Sequence, residues 1–231
     1  MERIKLNSRL ATAIPFVRQG SCFADVGTDH AHLPVYLVQS GIARRAIASD
    51  INEGPLARAK ENIEEYGLAD SISTVLCDGL SAFESYSPTD IAIFGMGGEL
   101  IVRIIDEASW LKDASKGIRL ILQPMTHPEK LREYLAGVGF NIVGESLSID
   151  RGRIYQTLCA EYDGIIREQD AFTLIFGECN LKNKDKLLFD LAKDVKKQAE
   201  KRRLGKIFGG EDVSREEELI RRLSYLLEEE K

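Results

Sequence analysis

At 231 residues the chain has room for one good-sized core and an appendage, and 44% hydrophobic with 29% charged residues is a soluble globular balance. No apolar run approaches the roughly 20 residues a membrane span needs, and Met1-Glu2-Arg3-Ile4-Lys5 lacks the basic-then-apolar form of a signal peptide, so a cytoplasmic protein without membrane contact is expected. A net charge of −6 argues, as an average over the chain, against a polyanionic partner.

Up to about residue 162, short apolar runs alternate with helical patterns, which predicts a βαβ array. The expected strands are 21–27, 45–50, 72–77, 90–95, 118–123, 140–147 and 154–161. Amphipathic helices are expected between them over 55–67, opened by Pro55 and closed by Gly67, then over 98–110 and 128–138. The last two strands are joined only by Asp150-Arg151-Gly152-Arg153, too short for a crossover, so they must pair antiparallel. The fold class is therefore α/β: a Rossmann-like, mostly parallel sheet ending in an antiparallel hairpin. Beyond Tyr162 two helices are expected, over 165–203 and 214–229, the second opened by a Ser214/Glu217 capping box. Their seams are Leu188, Leu191, Val195 and Ala199 against Leu219, Ile220, Leu223, Leu226 and Leu227, which predicts an antiparallel helical hairpin. The domains are then 1–162 and 163–231.

Ligands bind such sheets at the carboxyl ends of the strands, and there the chain carries acids. The first strand ends in Asp25-Val26-Gly27-Thr28-Asp29, and 21 residues past Asp29 the second ends in Asp50, followed by Ile51. The third ends in Asp78-Gly79, the fourth in Gly95-Met96-Gly97-Gly98, the fifth in Gln123-Pro124. After Gly27 the next glycine is Gly41, so the close backbone approach that a pyrophosphate needs is missing. A ligand with a ribose and no phosphates fits better, S-adenosyl-L-methionine being the common one, and the reading is a methyltransferase.

Asp50 is expected to accept from both ribose hydroxyls and Asp78 from the adenine amine. Gly27 leaves room for the methionine arm, and the helix after it offers N–H groups to the cofactor carboxylate. The Gly95-Met96-Gly97-Gly98 block stands where many base methyltransferases carry Asn/Asp-Pro-Pro-aromatic, which speaks against exocyclic amine methylation. It lets a flat base come close, or is simply a tight turn. Asp29, just past the cofactor loop, could stabilise the cation formed when a ring nitrogen is methylated, or cap the helix starting near His32. His30, His32 and His127 are the three histidines, and loop hydrogen bonding outranks a metal site for them. Cys22, Cys77, Cys159 and Cys179 are widely separated, which predicts free thiols in a reducing compartment.

Charge is unevenly spread. Residues 182–206 hold ten Lys or Arg against four acids, which makes that segment +6 and the remainder −12. A basic arm on an acidic body can bind a polyanion locally, and a solvated helix face explains it equally well.

Together these residues resemble the bacterial tRNA (adenine-22-N1)-methyltransferase family, often called TrmK. The resemblance rests on Ser8-Arg9-Leu10, Asp25 to Ala31, Leu33-Pro34, Gly54-Pro55, Asp78-Gly79-Leu80, Gly95-Met96-Gly97-Gly98 and Leu122-Gln123-Pro124. It implies S-adenosyl-L-methionine as cofactor, held around Asp25, Gly27, Asp50, Ile51, Asp78, Gly79 and Gly95, and N1-methyladenosine in the D-arm of tRNA as product. Asp29 matches the family's catalytic aspartate. Arg9, His32, Met96, Gly97 and Gly98 would receive the flipped base, and Lys196, Lys197, Arg202 and Arg203 on the basic arm would meet phosphates. The chain departs from the family at His32, where tyrosine is common, at Asp50, where glutamate is common, and at Met125, where asparagine often follows Gln-Pro. No metal is implied, and a monomer is expected. Rival readings are a methyltransferase acting on a small molecule or protein, and a non-enzymatic module with a degenerate pocket.

Overall fold

The computed structural model describes residues 4–230. Met1, Glu2 and Arg3, on which the reading of a missing leader largely rests, lie outside the described residues. Five short strands, β1 (Ser21–Val26), β2 (Ala43–Asp50), β3 (Ile72–Leu76), β4 (Asp90–Phe94) and β5 (Arg119–Gln123), pair parallel. Two long strands, β6 (Phe140–Asp150) and β7 (Arg153–Tyr162), pair antiparallel with each other, and β7 antiparallel with β5. The seven-stranded sheet runs β3-β2-β1-β4-β5-β7-β6. The strand order reverses between β1 and β4, the position where such sheets open a ligand crevice.

Alternation along the strands feeds two cores. Cys22, Ala24 and Val26 of β1 face one layer with Ile91, Ile93, Leu120 and Leu122. There they meet Ile101, Ile104 and Ile105 of α4 (Gly98–Glu107) and Leu131 and Leu135 of α5 (Pro128–Gly137). Phe23, Ala46, Ala48, Ala92 and Ile121 face the other layer. That layer is built from α2 (His32–Gln39), α3 (Glu53–Glu65) and the N-terminal arm carrying α1 (Ser8–Ala11). Burial on both faces explains why the parallel strands read as nearly continuous apolar runs. One glycine is forced by packing: a Cβ on Gly98 would come within 2.4 Å of the His127 carbonyl oxygen and 2.9 Å of that of Thr126.

The C-terminal segment differs in detail from the expectation. Four helices stand where two were expected: α6 (Ala171–Phe176), α7 (Glu178–Asn183), α8 (Lys186–Gly209) and α9 (Ser214–Glu228). The breaks fall at Gly177, φ +84°, and at Lys184, φ +51°, after which Asp185 caps α8. Helical periodicity alone cannot register a break whose two sides share one apolar face. The capping box is also absent. Ser214 is the first residue of α9 and donates to Asp212, while Glu217 pairs with Arg203 of α8. Most of the expected seam is found: Leu188, Leu223 and Leu226, with Leu191, Val195, Leu219 and Leu227 packed against them, join Ala192, Phe172, Phe176 and Leu147 of β6 in a third core that Ala199 and Ile220 do not enter. Beneath it Arg132 of α5 and Glu145 of β6, both fully buried, meet at 2.7 Å. Among the described residues no helix is long and apolar enough to cross a membrane.

Candidate active site

The carboxyl ends of β1 to β4 surround one cavity of about 620 Å³, within the range of roughly 300–1,000 Å³ typical of small-molecule sites. Asp25, Gly27, Asp50, Ile51, Asp78, Gly79 and Gly95 all line it, as do Arg9, Asp29, His32 and Met96. Gly97 and Gly98 are not among its lining residues. Gly97 caps α4, and the Gly98 amide donates to the Thr126 carbonyl at 2.8 Å, so these two join α4 to the turn after β5. Cys77 lies one residue past the end of β3 and faces the cavity, whereas Cys22 and Cys159 are buried. All four thiols are free.

The loop after β1 is folded on itself. The Gly27 and Thr28 amides both donate to the Ser49 carbonyl, at 2.9 and 2.7 Å, and the Ala31 amide donates to Thr28 Oγ1 at 3.1 Å. Gly27 makes the turn at φ +76°. Asp25 is buried beneath this loop, and desolvation pushes its carboxyl up to about 6 against the pull of a Thr28 hydrogen bond and of Arg9. At the end of β2, Asp50 Oδ1 accepts from the Asn52 amide at 2.8 Å, which fixes the carboxylate at the cavity edge beside the exposed Ile51. Asp78 stands opposite, with Arg103 of α4 at 3.7 Å.

Asp29 does not cap α2. Ala31 occupies the cap position in a left-handed conformation, and no side chain caps it. The exposed Asp29 carboxylate instead accepts from Arg58 Nη2 of α3 at 2.7 Å, and His30 Nε2 lies 3.4 Å away. The Arg58 hydrogen bond holds Asp29 below the usual carboxylate range. The His30 and His32 rings stack at 5.3 Å, and partial burial with the neighbouring His30 pushes His32 down, towards the neutral imidazole. His127 is elsewhere, before α5, with Nδ1 3.0 Å from Glu129.

Arg9 reaches the cavity from the N-terminal arm. Its Nη1 donates to Gln123 Oε1 at 3.2 Å, and its guanidinium lies 4.0 Å from where a Cβ on Gly95 would be. Fully buried Gln123 returns hydrogen bonds to the Arg9 carbonyl, Thr12 Oγ1 and Thr157 Oγ1, which explains why a glutamine ends β5. Met125, given no role from sequence, donates its amide to the Met96 carbonyl at 2.7 Å and steadies that loop. Arg58 and Arg103 were missed. Both sit on helix surfaces that read as ordinary solvated faces, and only the fold brings them to Asp29 and Asp78.

Lys196, Lys197, Arg202 and Arg203 lie on α8, outside the cavity. Arg203 is paired with Glu217 at 2.9 Å and Lys206 with Glu216 at 3.0 Å. Among the described residues, Lys196, Lys197 and Arg202 make no ion pair.

Residues 6–158 match the family model described as a methyltransferase domain. The tRNA (adenine(22)-N(1))-methyltransferase of Bacillus subtilis is 38% identical over 71% of this chain and 71% of its own length. The crystal structure of the B. subtilis m1A22 tRNA methyltransferase TrmK superposes with a TM-score of 0.79 at 30% identity, over 98% of this chain and 97% of that one. A Streptococcus pneumoniae protein solved in complex with S-adenosyl-L-methionine gives 0.83 at 32% identity, over 96% of this chain and all of that one. With a domain match over most of its length and a relative this similar, the chain belongs to the tRNA (adenine(22)-N(1))-methyltransferase family.

Proposed function

We propose that the protein transfers a methyl group from S-adenosyl-L-methionine to N1 of an adenine in the D-arm of tRNA, at position 22. The observation that carries this reading is the single cavity bounded by Asp25, Asp50 and Asp78 at three strand ends, with the anionic Asp29 beside it. A tRNA substrate supports a cytoplasmic enzyme. Residues 1–162 are read as the catalytic domain and 163–231 as the helical hairpin that meets tRNA.

The donor supplies an electrophilic methyl group on a sulfonium. Asp50 is read as the ribose acceptor and Asp78 as the acceptor of the adenine amine, with Ile51, Gly79 and Gly95 against the flat ring. Asp25 and Gly27 flank the methionine arm. The Gly27, Thr28 and Ala31 amides are taken by Ser49 and Thr28, so a cofactor carboxylate would rely on the other amides leading into α2 and on Arg9. A base extruded from the RNA would enter beside Arg9, His32 and Met96. Attack by N1 leaves a positive charge on the adenine, and Asp29, ionised by its pairing with Arg58, is read as the electrostatic stabiliser of that charge. A carboxylate held below its usual range is a weak base, which favours this role over proton abstraction.

Methyl transfer from labelled S-adenosyl-L-methionine to unmodified bacterial tRNA, followed by nucleoside mass spectrometry of the digest, tests the reading. N1-methyladenosine confined to the D-arm is the expected product. Transfer to another nucleoside, or none despite cofactor binding, would overturn it.

A further inference from the structure

Strands β6 and β7 have 11 and 10 residues, twice the 5 of β5. Register turns that excess into an overhang. Leu158 of β7 lies opposite Leu122 near the carboxyl end of β5, so Tyr155 lies three residues further on. At ~3.4 Å per residue it is about 10 Å beyond that pair, past the edge where ligands bind. The hairpin therefore rises past the carboxyl end of β5.

On this overhang Tyr155 is half-buried and set between two cations. The Arg9 guanidinium lies 5.8 Å from its ring centroid and that of Arg153 5.5 Å, both within cation–π range. Neither arginine makes an ion pair among the described residues, although Arg9 also acts on the Asp25 carboxyl through its charge. Arg9 is held by Gln123, and Arg153 donates to the Met125 carbonyl. Ser8 Oγ donates to the Ile149 carbonyl at 2.6 Å, which pins the arm carrying Arg9 to the hairpin. The arrangement is thus preformed. Arg9 is its hinge, since the same side chain lines the cavity and contacts the platform.

An aromatic ring beside two guanidinium groups, one of which also lines the cavity, has the composition of a single-stranded nucleotide site. Flat rings and guanidinium planes stack on any base, and the charges meet the phosphates on either side. A protein partner would bring acidic side chains but would not account for the aromatic ring between the two arginines. We infer that Tyr155, with Arg9 and Arg153, is a stacking platform for the RNA nucleotide next to the extruded adenine. By stacking that neighbour it holds the strand open beside the cavity and offsets part of the cost of extrusion. The inference rests on the tRNA reading above.

The test is tRNA affinity and steady-state kinetics for wild type, Tyr155→Ala, Tyr155→Phe and Tyr155→Trp. Cofactor affinity serves as the control for an intact cavity. Tyr155→Ala should raise the tRNA Kd and KM about tenfold, the loss expected from one base stack, with cofactor Kd unchanged. Tyr155→Phe should match wild type, because the ring and not the hydroxyl is used. Tyr155→Trp should bind as well, and its indole fluorescence should quench as unmodified tRNA is added. An unchanged tRNA Kd in Tyr155→Ala overturns the platform, and so does equal impairment by Ala and Phe, which would point to the hydroxyl. Failure of the wild type itself to bind tRNA would bring down the tRNA reading and the platform with it.

Discussion

Arg58 of α3 and Asp29 of the loop after β1 meet at 2.7 Å, so the acid read as facing the target base is paired with a cation from a neighbouring helix. The pairing costs Asp29 some of its negative field and in return keeps it ionised and oriented. Asp29→Ala should abolish transfer while leaving cofactor Kd unchanged, and near-normal turnover would remove Asp29 from the chemistry. Because its carboxyl is held low, the acid limb of the pH–rate profile should not belong to Asp29 in the wild type. Arg58→Met should lower kcat, leave cofactor binding intact, and move the pH at which Asp29 is protonated upward, towards the ordinary carboxylate value.

Asp25 behaves oppositely. Its carboxyl is raised to about 6 by burial, so between about 3.8 and 6 the folded chain holds a proton that the unfolded chain has lost. Stability from this group is therefore full below the unfolded value and is lost as pH rises through 6, an effect on the order of 3 kcal/mol at most. Asp25→Asn should remove this slope from the pH dependence of thermal unfolding. A cationic ligand favours the carboxylate, so S-adenosyl-L-methionine affinity should weaken from pH 7 to pH 5 in the wild type and stay flat in Asp25→Asn. Titration calorimetry at the two pH values decides it.

The architecture was legible because periodicity and connection length are local. Seven apolar runs and a four-residue link dictated the strand count and the antiparallel end, and the acids at the tips of β1, β2 and β3 follow from the register those strands must share. What sequence could not register was pairing across long separations. Arg58 with Asp29, Arg103 with Asp78 and Gln123 with Arg9 join residues on different elements, and Arg58 and Arg103 look like solvated helix charges until the fold closes. The break at Gly177 was invisible for a related reason: Phe172, Phe176 and Leu188 remain on one apolar face across it.

Gly98 has backbone carbonyls where a side chain would begin. Gly98→Ala would drive a Cβ to 2.4 Å from the His127 carbonyl oxygen, and backbone atoms cannot swing aside. We expect a loss on the order of 2 kcal/mol or more, read as a fall of several degrees in the thermal midpoint. Gly54→Ala, where a Cβ meets nothing within 4 Å, should be nearly neutral and serves as the control.

The Arg132–Glu145 pair couples the sheet to the C-terminal helices. Arg132 donates to Gln156 Oε1 at 2.7 Å and to the Leu174 carbonyl at 2.9 Å, while Glu145 accepts from the Cys179 amide at 3.0 Å. Removing one partner strands a buried charge. Glu145→Leu alone should cost about 3–5 kcal/mol, and adding Arg132→Met should recover much of that loss. Amide exchange should accelerate at Cys179 in the single variant. If Arg132→Met recovers nothing in the Glu145→Leu background, the pair is not coupled and the helices are held by their apolar seam alone.

The basic arm divides by its pairing. Arg203 and Lys206 are neutralised by Glu217 and Glu216 of α9, and Lys193 by Glu230 at 2.8 Å, whereas Lys196, Lys197 and Arg202 make no ion pair among the described residues. Cations already paired gain less from a phosphate, because the same contact must break an existing one. Lys196→Glu, Lys197→Glu and Arg202→Glu together should therefore weaken tRNA binding strongly and reduce its dependence on salt, each lost phosphate contact taking about 0.7–0.9 from the slope of log K against log salt. Arg203→Glu alone should act mainly by repelling Glu217 and lowering stability. Cofactor affinity should be unchanged throughout. A tRNA Kd and salt slope that survive the triple reversal would make α8 a solvated face, and would shift the weight of tRNA recognition to the arginines around the cavity.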